Sequence, residues 1–179
     1  MRKQSLVRLL LVLAVLLAGA AALLWYTRPM TLRQLCPEVD LARCSSITVY
    51  YEVVPSAAGN ERLVLERGTP AFEVLLSELR ERTFSRSLTS LLPRGTRTVR
   101  TTDGDFQWEL LLEFDSTIVT PDGNEHQGML LRLRNFFGRL SLDHMLADRT
   151  WDVTTKGQEV WVSQVMDIIT AIPQPSGPA

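Results

Sequence analysis

The chain is 179 residues long, 45% hydrophobic, with two cysteines and a formal net charge of −1. Those values allow one domain with a real core and exclude a disordered, collagen-like or disulfide-dense chain. Four of the 19 basic side chains (Arg2, Lys3, Arg8 and Arg28) lie in or beside one apolar segment, so the remaining 15 face 20 acids, about −5 beyond Arg28. Nucleic acid is therefore excluded as a generic partner, since such binders show a concentrated basic excess.

From Leu9 to Tyr26 the sequence reads LLLVLAVLLAGAAALLWY, 18 residues without a charge. A helix of that length covers roughly 27 Å, close to the thickness of bilayer hydrocarbon. Trp25 and Tyr26 fall at its far end, where amphipathic rings favour the headgroup layer, and Arg28-Pro29 stops the helix. Residues 1–28 thus read as a short tail and a transmembrane signal-anchor, with membrane lipid as the partner of residues 9–26. The rival is a cleaved signal peptide ending at Ala18-Gly19-Ala20 or Ala20-Ala21-Ala22, which would leave a secreted domain. Cleavage there strands Leu23-Leu24-Trp25-Tyr26 in water, so the anchor is favoured. A basic tail ahead of the apolar run points to a cytoplasmic N-terminus and an extracytoplasmic C-terminal domain, although Arg28, Arg33 and Arg43 weaken the bias.

Residues 29–45 mix prolines, charges and isolated apolar residues, and are expected to be a membrane-proximal connector with at most a short helical turn. Cys36 and Cys44 lie in it. An even count just beyond a membrane makes them a candidate disulfide, with two free thiols as the alternative; no third cysteine or nearby histidine suggests a metal.

The folded domain is expected over 46–172. Ile47, Val49, Tyr51 and Val53 alternate as in a half-buried strand, and 62–66 reads as its return. Thr69 and Pro70 suit an N-cap and first helical position, and Phe72, Leu75, Leu76 and Leu79 form a helical stripe. Phe106, Trp108, Leu110, Leu112 and Phe114 share one face of a further strand, with Leu111 the exception. Asp103-Gly104 before it reads as a hairpin turn that would set Arg100 opposite Gln107. Pro121-Asp122-Gly123-Asn124 marks another turn, into Met129, Leu131 and Leu133. Short strands follow around 140–142 and 151–153. Trp161, Val165, Ile168 and Ile172 then share a helical face, although Val160-Trp161-Val162 also fits a strand. Residues 173–179 form a Pro/Gly tail. The fold class is α+β: an N-terminal transmembrane helix, then a single domain with an antiparallel sheet of about five to seven strands covered by two amphipathic helices.

Between Arg80 and Arg100 stand six arginines against one glutamate, and between Asp103 and Glu125 seven acids and no base. Folding the two runs together as a hairpin would satisfy both, although Arg80, Arg82 and Arg86 lie outside it and remain candidate contacts for an anionic polymer or headgroup. His126 and His144 have no ligand-spaced partner and read as surface residues. Asp103-Gly104-Asp105 and Asp122-Gly123-Asn124 are better hairpin turns than calcium loops, and Glu109 with Glu113 is ordinary strand surface before it is an acid/base pair. No nucleophile elbow, Walker loop or dinucleotide fingerprint occurs, and no cofactor is implied. The leading expectation is a non-catalytic extracytoplasmic module that binds or regulates a protein or envelope partner. The alternatives are an envelope hydrolase or transferase with a dispersed site, and anion binding through the arginines.

Overall fold

In a computed structural model of the chain, residues 2–37, 39–53, 61–91, 106–119, 125–145 and 149–172 are described. Helix α1 (Arg2–Tyr26) carries the apolar run; Val7–Tyr26 forms 20 residues of mean hydropathy 2.6 with none of that window buried. At about 1.5 Å per residue this reaches about 30 Å, enough to cross a bilayer. Three residues then separate it from strand β1 (Met30–Thr31).

The stretch expected as a connector is built into the fold. After β1, Thr31 caps the one-turn helix α2 (Leu32–Leu35) in a reciprocal capping box with Gln34. Asp40 then caps a 3₁₀ turn at Leu41–Arg43 by accepting from the Ala42 N–H at 3.0 Å. Met30, Leu32, Leu35, Cys36, Val39 and Leu41 are all buried. The irregular spacing that suggests a linker belongs to short elements that each turn one or two side chains into the core.

Strands β2 (Cys44–Val53) and β3 (Glu61–Glu66) form the expected hairpin, with Val49 opposite Leu63. Helix α3 (Pro70–Glu81) starts at the predicted Thr69-Pro70, and its stripe Phe72, Leu75, Leu76 and Leu79 is buried. Strand β4 (Thr83–Arg86), a 3₁₀ turn at Leu88–Leu91, and strands β5 (Phe106–Val119), β6 (Glu125–Phe136), β7 (Arg139–His144) and β8 (Arg149–Thr155) follow. Helix α4 (Gln158–Thr170) closes the fold, so Val160-Trp161-Val162 is helical rather than a strand. The α+β class holds, but among the described residues the sheet has eight strands, in the order β1-β4-β8-β7-β6-β5-β2-β3, every neighbouring pair antiparallel. The strands beyond expectation are β1 and β4, whose two and four residues are too short to show an alternating pattern.

One sheet face carries Ile47, Val49, Leu110, Leu112, Leu131, Leu133, Leu140, Leu142 and Val153, all buried. With α3 and α4 these residues form one core, at whose centre the Trp161 ring meets Phe84 and Trp108 edge-on at 5.8 Å each. The Trp108 indole N–H donates to the Val162 carbonyl at 3.3 Å, joining sheet to helix. His144, expected at the surface, is 4% exposed at the end of β7. The strand's alternation brings it to the face of Leu140 and Leu142.

The predicted pairing of Arg100 with Gln107 is not available, because Gln107 already has Glu52 of β2 on one side and Phe136 of β6 on the other. The turns at 103–104 and 121–124 themselves lie outside the described residues. The acids of β5 find other partners, on the sheet face away from the helices.

Candidate functional site: a polar sheet face and an apolar edge groove

Side chains that alternate with the core residues form the second face of the sheet. Across it the charges interlock: Arg132 meets Glu109 at 3.6 Å, Arg134 meets Asp143 at 2.6 Å, and Arg139 meets Asp152 at 3.6 Å. Glu113 accepts from the Ser46 hydroxyl at 2.9 Å and the Thr48 hydroxyl at 3.4 Å, and Glu52 accepts from the Gln107 amide. Leu111, the exception in the strand pattern, lies on this face between Thr48 and Arg132 and is nonetheless 5% exposed. A groove of about 440 Å³ runs over this face, lined among others by Tyr50, Gln107, Glu109, Arg134 and Phe136. Glu109 and Glu113 are thus held by different partners and do not converge as an acid/base pair.

Beside the groove, β6 turns into β7 through Phe137-Gly138, both at positive φ (47° and 81°). Two such residues make the hairpin turn whose twist matches its strands, and the first position favours asparagine or glycine over a bulky ring. Asn135, 1% exposed, holds the turn: its side-chain oxygen accepts from the Gly138 N–H at 2.9 Å, and its amide donates to the Phe106 carbonyl at 3.2 Å.

The second concavity is apolar. Among the described residues strand β3 is an outer strand of the sheet, paired with β2 alone. Along it runs a groove of about 490 Å³, lined by Leu63, Leu65, Pro70, Val74, Ile168 and Ile172 among others. Its walls come from β3, the start of α3 and the end of α4. Val74 stays 50% exposed in it, and Val64, opposite Thr48 and so on the polar face of the same edge, is 45% exposed. The sequence marks Ile168 and Ile172 as part of a helical stripe, but nothing local indicates that this stripe faces β3.

The structure disperses the three candidate anion-binding arginines. Arg80 donates to the Leu41 carbonyl at 3.3 Å. Arg82 donates to the Lys156 carbonyl at 3.2 Å, pairs with Glu78 at 3.3 Å and lies 4.7 Å over the Trp161 ring. Arg86 lies between rings, 5.5 Å from Tyr26 and 5.4 Å from Trp151. Each holds a different join of the fold.

Cys36 and Cys44 are both buried thiols and are not bridged. Burial pushes the Cys44 thiol up to about 12, against a weaker opposing pull from Arg67, and its S–H faces the Ser46 carbonyl at 3.4 Å. A thiol held protonated in this way is a poor nucleophile. Among the described residues no three His, Cys, Asp or Glu side chains cluster to hold a metal ion. The side chain of His126 lies outside the described residues. Comparison of the chain with protein-family models, with curated proteins and with solved structures finds no match in any of the three.

Proposed function

We propose that the chain is a single-pass membrane protein whose sheet domain stands outside the cytoplasm and acts without catalysis, holding a protein partner at the membrane. The observation that carries the binding role is the outer side of β3, which no strand among the described residues pairs, backed by the apolar groove. An extended peptide needs that combination: unpaired backbone groups on a strand edge supply affinity, and an adjoining trough takes alternate side chains. The membrane assignment draws on α1, whose Val7–Tyr26 window is apolar and unburied. The orientation draws on Arg2, Lys3 and Arg8 ahead of that window. The mutual pairing of the carboxylates on the polar face supports a binding role over hydrolysis.

Photo-crosslinking side chains placed at Val64 and at Val74 in native membranes test the binding role. Both positions are expected to yield the same single protein adduct, lost when Val74→Glu charges the groove in the Val64 probe, with no such adduct from Val160 on α4. Adducts equal at all three positions, or none at Val64 and Val74, would reject the groove as the binding surface. Protease added to intact cells should remove the domain while sparing the anchor; cleavage only after lysis would reverse the orientation.

A further inference from the structure

We infer that the 3₁₀ turn Leu88–Leu91 is a second membrane contact, with Leu88 and Leu91 entering the headgroup boundary of the bilayer that α1 crosses. This rests on the reading of α1 as a membrane anchor. The chain leaves that helix at Tyr26 and rises through β1 after three residues. Because β1 pairs antiparallel with β4 (Met30 opposite Phe84, Thr31 opposite Thr83), β4 must descend toward the end of α1. The last residue of β4 agrees with this path: the Arg86 guanidinium lies 5.5 Å from the Tyr26 ring. The turn that follows is therefore at the level where the helix emerges.

The orientation of the turn is fixed by its polar residues. The Ser87 N–H donates to the Asp152 carbonyl at 2.8 Å, and the Thr89 hydroxyl donates to the Asp152 carboxylate at 3.0 Å. The Ser90 hydroxyl donates to the Asp152 carbonyl at 3.1 Å and accepts from the Asp152 N–H at 3.0 Å. One side of the turn is thus fastened to β8. A 3₁₀ turn repeats every three residues, so Leu88 and Leu91 project together from one side. They remain 46% and 61% exposed, and the bonds to Asp152 prevent the turn from rolling them under the sheet. Lipid rather than a protein is the fitting occupant, because the turn follows directly on Arg86, which lies against Tyr26 at the end of the proposed anchor. Arg28 and Arg86, stacked on Trp25 and Tyr26, add positive charge that favours anionic headgroups.

The full-length protein reconstituted in phosphatidylcholine–phosphatidylglycerol vesicles provides the test. An environment-sensitive nitrobenzoxadiazole label is attached at Leu91→Cys or, as a control, at Val160→Cys beyond the opposite end of β8; unsubstituted protein measures labelling of the buried native thiols. Shallow doxyl lipids are expected to quench the label at 91 by about twofold and its emission to shift to the blue, while the label at 160 changes little, as for a side chain seated in the interfacial layer. Vesicles that float with the protein but leave position 91 unquenched would overturn this contact and spare the anchor. Protein that fails to float with the vesicles would overturn both.

Discussion

Cys44 shows how a single side chain links burial to the conditions the fold tolerates. Its thiol ordinarily titrates at 9.0 and is pushed up to about 12 by burial, so between those values the folded chain keeps a proton that the unfolded chain loses. The stabilisation is complete below pH 9 and disappears as pH rises toward 12. Equilibrium urea denaturation in detergent should therefore show a falling midpoint over that window. Cys44→Ala should flatten the fall while costing about 1 kcal/mol at neutral pH. An unchanged alkaline slope in the variant would assign the effect to other groups. The same burial predicts that Cys44 resists alkylation in the native state at pH 8 and reacts once unfolded. Arg80, Arg82 and Arg86 form one basic run in sequence, yet Arg80 meets a carbonyl, Arg82 a carbonyl, a carboxylate and a ring, and Arg86 two aromatic rings.

Among the elements, the β6–β7 hairpin carries a local cost. Phe137 adopts a left-handed conformation where an asparagine would be more comfortable. Phe137→Asn is expected to stabilise the chain by about 1 kcal/mol, raising the melting temperature by roughly 2–4 °C. A lower melting temperature would show that the ring pair of Phe136 and Phe137, 4.8 Å apart, holds the turn more firmly than the backbone strains it. How far each element is legible in the amino-acid sequence follows its length. The stripe on α3, the alternation in β2, β5 and β6 and the change of period at α4 each extend over several residues, long enough for a period to declare itself. Strands β1 and β4 offer only Met30 and Phe84 as inward residues, which no periodicity can reveal. The Asp103-Gly104 signal suggests a partner for the β5 acids from the preceding arginine run, but strand neighbours are chosen by the whole sheet, and Arg132 of β6 takes that place. Of the apolar groove, the pieces are visible in the sequence and their meeting is not, since β3 and the end of α4 are about a hundred residues apart along the chain.

For the molecule as a whole, stability runs through Trp161. Its ring touches Phe84 of β4 and Trp108 of β5 and lies beneath Arg82, thereby joining β4, β5 and α4. Trp161→Ala is expected to cost about 3–5 kcal/mol, a large share of the roughly 5–15 kcal/mol typical of a domain. Thermal melting followed by near-ultraviolet dichroism would measure it; a loss under about 1 kcal/mol would mean that neighbouring side chains close the space. The three residues between Tyr26 and Met30 set a further limit. Fully stretched they reach about 10 Å, so the domain cannot swing far from the end of α1 as it would on a long stalk. With α1 as the proposed anchor, two such proteins in one bilayer would search for each other in a plane rather than in a volume.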